Sequence, residues 1–474
     1  MEVTARTGDQ DPLIGKITFD SRQVNHGDLF VAIRGLEADG HRYVDQALAS
    51  GASAVVCEEF GSWDHGNIPV ICVPDSRKAL ALMASAWFVH PSSELILVGV
   101  TGTNGKTTIA TLLHQMHQKM GFRAGLISTI QVLIGEASRP ATHTTPDPLR
   151  VNAVLREMAD TGCEYCFMEV SSHAIDQERV EGLEFNGGIF TNLTRDHLDY
   201  HKDFKEYLRV KKRFFDQLPA NAFALVNGDD KNGRVMVQNC RAEQHIYSLR
   251  SMCDFRGKIT EMHLEGSAME INGREVWVKL PGKFNASNLL CAYGAASLLG
   301  HHAADVMKAL SELDPVAGRF ETFRSGKGTT AIVDYAHTPD ALQNVLDTIH
   351  EVNISGGEII TVVGAGGNRD RGKRPAMAKI AAGASHKVIL TSDNPRNEDP
   401  EVILDEMMEG VPLHLLERTM RIVSREEAIR TACIVAGQKD IILVAGKGHE
   451  KTQEIAGEKR AFDDMAILKQ NLKG

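Results

Sequence analysis

No run of apolar residues in this chain approaches the roughly 20 that a membrane-spanning helix needs, so none is expected to cross a bilayer. Basic residues are outnumbered, 52 Lys and Arg against 62 Asp and Glu, for a formal charge of −10. A dedicated nucleic-acid binder usually carries a basic footprint, so an anionic ligand would have to be met by local cations. Cysteine is scarce and scattered, with Cys163 and Cys166 as the one close pair. That pair runs into a buried-strand pattern and has no second pair to complete a zinc site. Reduced thiols in the cytoplasm are the simpler reading. The first eleven residues are polar and acidic rather than basic then apolar, so no secretory leader is expected there. Internal repeats and low-complexity segments are missing too.

What is present is a globular composition, 43% hydrophobic and 24% charged, in 474 residues. At about 150 residues per domain this suggests three. The most informative stretch is 95–108. Leu95, Ile96, Leu97, Val98 and Val100 form an apolar run of strand length. It leads into Thr101, Gly102, Thr103, Asn104, Gly105, Lys106, Thr107 and Thr108. A helical pattern over 107–120 puts Ile109, Leu112, Leu113 and Met116 on one face. Strand, glycine loop, Lys-Thr and helix make a P-loop: glycines let backbone N–H groups face phosphate oxygens, and the helix N-terminus favours the same anions. Lys106 would reach the β- and γ-phosphates and Thr107 would meet Mg²⁺. Val100 stands where the usual pattern has glycine.

The chain reads as α/β throughout. Residues 1–90 form a small unit, with Ser21, Arg22 and His41 near turns. A Pro-Ser linker at 90–93 precedes the P-loop strand. Residues 91–317 alternate strands and helices, as a doubly wound, mainly parallel sheet does. Strands are expected over 123–130, 165–170, 188–192 and 223–227, and helices over 149–161, 204–218 and 289–299. Residues 240–280 look β-rich, with a turn at Asn272-Gly273. From 318 a third, Rossmann-like unit carries strands over 330–334, 358–363, 387–390 and 441–444. In parallel sheets ligands sit at the carboxyl ends of strands. The P-loop, Glu169 and the 196–201 cluster with His197 all fall at such ends. Glu169 terminates an apolar strand, where a second Mg²⁺ ligand belongs. Lys211 and Lys212, adjacent on a helix, read as a solvated face.

Together these residues resemble the Mur ligase family of peptide-bond-forming ATPases over nearly the whole chain. The variant P-loop, Glu169 before Val170-Ser171-Ser172-His173, Asn288, Arg319 and Asp334 all match family positions. Asp20-Ser21-Arg22, the Gly367–Pro375 stretch, Asp393-Asn394-Pro395-Arg396 and Gly446-Lys447-Gly448-His449-Glu450 resemble the family's diaminopimelate-adding members. The resemblance implies three domains: 1–90 for the UDP-sugar nucleotide, 91–317 for ATP and 318–474 for the amino acid. It implies an acyl phosphate made from ATP on the D-glutamate carboxylate of UDP-N-acetylmuramoyl-L-alanyl-D-glutamate, then attack by the amine of meso-diaminopimelate.

The same resemblance assigns residues. ATP would meet Gly102, Thr103, Asn104, Gly105, Lys106, Thr107, Thr108, Asn288, Arg319 and Asp334. Ser21, His41, Thr144, Thr145, Ser171, Gln177 and Arg179 would take the muramoyl nucleotide. Arg369, Asp393, Asn394, Pro395, Arg396, Gly446 and Glu450 would take diaminopimelate, the Arg396 guanidinium gripping its second carboxylate. Lys106, Lys211, His197 and Glu169 would be catalytic. Mg²⁺ would be held by Thr107, Glu169, His197 and Lys211, the last as a CO₂-derived carbamate. A cytoplasmic monomer without nucleic-acid or membrane partners is expected. Rival readings are a lysine-adding relative, a folylpolyglutamate synthetase, and a P-loop switch or motor that only reads nucleotide state.

Overall fold

The computed structural model describes residues 2–35, 38–196 and 199–473. His197 lies outside the described residues. The chain is α/β, as expected, and divides into two compact units: Met1–Gly99 with Arg123–Asn186, and Val100–Phe122 with Gly187–Gly474.

The first unit holds a five-stranded sheet ordered Ala5–Thr7, Val70–Cys72, Ala54–Cys57, Leu29–Val31, Ile17–Thr18. Only Ala5–Thr7 runs antiparallel to its neighbour. Alternate residues of each strand face opposite sides. Phe30 and Val55 therefore join one apolar cluster, while Val31 and Val56 join another. The same unit pairs Tyr165–Glu169 parallel to Ala124–Ile127. A hairpin, Gln131–Ile134 with Ala137–Pro140, extends that pair antiparallel. The sequence reading missed it, because Gly135-Glu136 is a short turn inside what looks like a polar loop. All eight cysteines are free thiols, and Cys166 is wholly buried.

In the second unit Gly187–Phe190, Phe223–Asn227, Glu243–Ser248 and Phe255–His263 run parallel. Gly266–Ile271 and Arg274–Val278 then add antiparallel around Asn272-Gly273. Both turn residues have positive φ, +47° and +80°, as a two-residue hairpin turn requires. A further six-stranded sheet is ordered Glu321–Arg324, Thr330–Asp334, Ile441–Ala445, Ile359–Ala365, Lys387–Ser392, Thr419–Arg421. Every pair but the first is parallel. The loops that leave its central strands, at 335–338, 366–372, 393–399 and 446–450, therefore emerge at one edge of the sheet.

The P-loop helix, Lys106–Lys119, buries ten of its 14 residues. Near its end His117 is fully buried, and its Nδ1 donates to Leu113 O at 2.7 Å. Nε2 must then be the acceptor, so His301 Nε2–H donates to it across 3.1 Å. Burial first, then the charges of His301 and His114, push the His117 pKa down to about 4 against that backbone bond. The unfolded imidazole titrates near 6.5, so the unfolded chain binds more protons between those values. The stabilisation is complete above about pH 6.5 and is lost as pH falls toward 4. Between pH 7.5 and 5 this one group is expected to cost about 2 kcal/mol. Urea unfolding of the wild type and His117→Gln at both pH values measures it. Identical pH dependence in the two proteins would rule the assignment out.

Candidate functional site

One cluster lies in the first unit. Glu169 ends its strand fully buried. Thr129 N donates to its Oε1 at 2.7 Å, and Thr129 Oγ1 to its Oε2 at 3.1 Å. Thr129 was missed in the sequence, although it too stands just past a strand end. Its hydroxyl also reaches Thr144 Oγ1 at 3.0 Å. Thr145 Oγ1 donates to Glu169 O at 2.7 Å and accepts from Ser171 N at 3.1 Å. Ser171 caps the helix Ser172–Asp176, its hydroxyl accepting from Ala174 N. Arg179 Nη1 donates to Thr145 O at 2.8 Å, and its Nη2 to Gln177 Oε1 at 2.7 Å. Thr144, Thr145, Glu169, Ser171, Gln177 and Arg179, drawn from three separate stretches, thus form one hydrogen-bonded group.

Ser21 and His41 sit in another part of this unit. Ser21 Oγ donates to Gln46 Oε1 at 3.2 Å. His41 Nδ1 lies 2.7 Å from Asp39 Oδ1, and its Nε2 accepts from Glu58 N at 2.9 Å. With Nε2 accepting, Nδ1 is the ring nitrogen that donates, to Asp39. Both ring nitrogens are committed inside the protein, so His41 orders the 39–41 and 58–59 segments and offers a ligand only its ring face.

The P-loop lies in the second unit, except for the start of its strand, Ile96–Thr101. Gly102 has φ +145°, and a Cβ there would fall 1.9 Å from Thr191 Oγ1. Gly105 has φ +88°, and its Cβ would press on Asn288 Oδ1 at 2.8 Å. Both positions need glycine. Asn104 is clamped: its N–H donates to Asn192 Oδ1 at 2.9 Å, and Thr191 Oγ1 donates to its carbonyl at 2.6 Å. Lys106 Nζ bonds Gly102 O at 3.0 Å and Thr103 O at 2.8 Å. Arg319 Nη2 donates to Thr107 Oγ1 at 3.0 Å while the guanidinium lies 4.4 Å from the Tyr335 ring centre. Asp334 Oδ1 accepts from Ala336 N and Oδ2 from Phe320 N, both at 2.7 Å. Burial raises its pKa despite those bonds and the Arg319 charge. The P-loop, Asn288, Arg319 and Asp334 therefore meet.

Lys211 lies at the same place, against the solvated-face reading. It is 1% exposed, on the helix Phe204–Asp216. Its Nζ donates to Gly102 O at 3.0 Å and lies 4.9 Å from the Tyr207 ring centre. Lys106 shares that same carbonyl. Burial, and then the Lys106 charge, hold the Lys211 pKa well below the usual lysine range, with Asp196 opposing. Lys212 instead pairs with Asp216 one turn on. The sequence did carry a signal. Tyr207, Val210, Lys211, Phe214 and Phe215 are the buried positions of this helix, and only one of the two lysines falls in that stripe.

The C-terminal loops join this unit's site by way of ion pairs. Arg369 approaches Asp199 at 3.9 Å, and Arg195 approaches Asp370 at 3.4 Å. Gly446 has φ +115°, and a Cβ there would meet Asp393 Oδ2 at 2.5 Å. Asn394 Nδ2 donates to Glu450 Oε2 at 2.8 Å. Arg396 Nη1 donates to Gly367 O at 2.7 Å, so Arg369, the 393–396 loop, Gly446 and Glu450 gather at one sheet edge. Behind them Arg374, with no exposed side chain, pairs with Glu398 at 2.9 Å and Glu406 at 2.7 Å. Fully buried Arg425 likewise pairs with Asp464 at 2.7 Å. The sequence reading missed these struts, although each arginine falls in the buried stripe of its helix.

Among the described residues no group of three or more His, Cys, Asp or Glu could hold a metal ion. A Mg²⁺ site would have to draw on other hard oxygen donors. In the second unit the buried Thr107 hydroxyl is an oxygen donor of that kind.

Comparison with known proteins agrees with this geometry. Residues 13–88 match the description "Mur ligase family, catalytic domain", 100–296 "Mur ligase middle domain", and 318–448 "Mur ligase, glutamate ligase domain". A Parabacteroides distasonis protein named UDP-N-acetylmuramoyl-L-alanyl-D-glutamate–2,6-diaminopimelate ligase is 57% identical, over 96% of this chain and 94% of its own. A Bacteroides thetaiotaomicron protein of the same name is 55% identical over 98% and 96%. A solved structure with that name superposes with a TM-score of 0.68 at 32% identity, covering 97% of this chain and 94% of its own. The Thermotoga maritima MurF ligase in complex with ADP shares the fold, with a TM-score of 0.66 at 18% identity over 98% and 99%. Three matched segments spanning most of the sequence, and relatives above 50% identity along it, establish that this chain belongs to the Mur ligase family.

Proposed function

We propose that the protein is an ATP-dependent ligase that adds meso-2,6-diaminopimelate to UDP-N-acetylmuramoyl-L-alanyl-D-glutamate in peptidoglycan precursor synthesis. The observation that carries this reading is the name shared by relatives 55–57% identical along almost the whole chain. The chemistry needs activation, because amine attack on a carboxylate builds charge on charge. Transfer of the ATP γ-phosphoryl group to the D-glutamate carboxylate gives an acyl phosphate. The amine attacks its carbonyl carbon, and the C–O bond to phosphate breaks. Catalysis is then mostly positioning and charge neutralisation.

The chain's own residues are suited to this. Lys106 turns from the Gly102 and Thr103 carbonyls to the transferring phosphoryl group. Arg319 and Asp334 hold the nucleotide beyond the P-loop. The group around Thr145, Ser171 and Arg179 presents donors to the carboxylates of the muramoyl dipeptide, with Ser21 near the uridine diphosphate end. Burial and the Lys106 charge lower the Lys211 pKa, which favours the amine form that can attack CO₂: an N–C bond forms, one C=O π bond opens to an oxyanion, and a proton leaves to water. The resulting carbamate is a carboxylate-like ligand where an ammonium would repel cations. Thr107, Glu169 and His197 are the other ligands carried over. A bound Mg²⁺ would neutralise charge on the phosphoryl oxygens. Arg396 grips the second carboxylate of diaminopimelate and Glu450 its ammonium, with Arg369, Asp393 and Gly446 lining the same subsite. We take the protein to act as a cytoplasmic monomer.

The test is phosphate release with ATP alone, then with the UDP-muramoyl-dipeptide, then with diaminopimelate added, followed by product mass. Turnover is expected only with all three, together with a product one diaminoacyl residue heavier. Hydrolysis with ATP alone at the full rate would instead support a switch or motor.

A further inference from the structure

We propose that Gln453 is a positioning residue for amino-acid selection. It acts through the strand Thr452–Ile455, to which the 393–396 loop is stitched. The inference rests on the functional reading above. Gln453 is 7% exposed, and its Nε2 donates to Asp393 O at 2.7 Å. Glu454 N donates to Asn394 Oδ1 at 3.0 Å. Arg396 N donates to Glu454 O at 3.1 Å, and Ala456 N donates to Arg396 O at 2.6 Å. Each bond ties the loop to a segment about 60 residues away in sequence.

Arg396 shows why the stitching matters. Its φ is +54°, a left-handed conformation that a bulky residue holds only when its surroundings over-determine it. The hairpin Thr452–Ile455 with Glu458–Ala461 supplies those surroundings. Asn394 is fixed too. Its Oδ1 accepts from both Lys447 Nζ and Glu454 N at 3.0 Å, while its Nδ2 donates to Glu450 Oε2. With both lone pairs of Oδ1 occupied the amide has one orientation, so Asn394 can offer a ligand only an N–H. Glu450 Oε2 also accepts from buried Lys447 at 2.8 Å, which turns Oε1 to the task of meeting an ammonium. The backbone of Asp393 and Arg396 and the Asn394 amide thus all take bonds from the strand. Gln453 meets the loop through its side chain, so substituting it leaves the backbone–backbone bonds of the stitching in place.

The experiment is steady-state kinetics of the full-length wild type, Gln453→Met and Gln453→Glu with diaminopimelate and, separately, with lysine. The first variant keeps the length and loses the donor. The second sets an acceptor against the Asp393 carbonyl. Loss of one buried bond predicts a roughly tenfold higher KM for diaminopimelate, and a larger rise for Gln453→Glu. The diaminopimelate-to-lysine ratio of kcat/KM is expected to fall, with kcat and the KM values for ATP and the UDP-muramoyl-dipeptide within about twofold of wild type. An unchanged ratio overturns the inference, whether KM stays put or both amino acids lose rate alike through partial unfolding. A wild type that does not turn over diaminopimelate overturns the functional reading, and this inference with it.

Discussion

Lys211→Ala is expected to lower kcat on the order of 10³-fold, the size seen when one preorganised charge-stabilising group is removed from a transition state. Lys212→Ala is expected to leave kcat within about twofold. The two residues are neighbours with the same chemistry, and only their surroundings differ. Lys212 is spent on Asp216 one turn along the helix. Lys211 is buried against Tyr207, shares the Gly102 carbonyl with Lys106, and has its pKa held well below the usual lysine range by burial and by that neighbouring charge. The amine form is the one that reacts with CO₂, and a carbamate there would carry the negative charge that a Mg-nucleotide site needs. Wild-type activity should therefore rise with added bicarbonate after CO₂ depletion, and the alanine variant should not respond. Loss of turnover in Lys212→Ala with Lys211→Ala spared would reverse the assignment.

The second large effect is on specificity. Arg396→Ala should lower kcat/KM for diaminopimelate about 10²-fold, which is about 2.7 kcal/mol and within the cost of removing one partner of a desolvated charge pair. Lysine lacks the second carboxylate, so its use should fall far less, and the ratio between the two amino acids should collapse. One N–H of the Arg396 guanidinium is held by the Gly367 carbonyl at 2.7 Å. The rest of its planar fork is what can take a carboxylate bidentately. With lysine bound, the rest of that fork would lack a carboxylate partner, which would disfavour lysine in the wild type. A competition assay with both amino acids gives the ratio directly, and an unchanged ratio in Arg396→Ala would end the specificity argument.

Much of the fold and part of the site could be read before any coordinates. The P-loop is contiguous, so a single strand–glycine–Lys-Thr–helix pattern sufficed, and Gly102 and Gly105 prove to be places where a Cβ would collide. The strand ends that carry Glu169, Asp334 and Asp393 follow from apolar runs bounded by polar residues. The strand at 223–227 was read to the residue, and the helix at 204–218 to within two. The expected helix at 289–299 begins six residues earlier, at Lys283, because its first turns include polar Asn285 and Asn288, which are buried by tertiary contacts.

The glycine loop with which the site begins was therefore settled by sequence, because its function depends on backbone geometry that local residue types dictate. Which charges are buried was not. Lys211, Arg374 and Arg425 lie in phase with apolar stripes, a hint that periodicity contains but composition hides. Lys447 and Gln453 leave no local trace at all. Their partners, Asn394 and Asp393, lie 53 and 60 residues away, and only the pairing of distant strands brings them within bonding distance. A side chain's charge state and orientation come from what is packed around it, so these were decided by the tertiary structure alone.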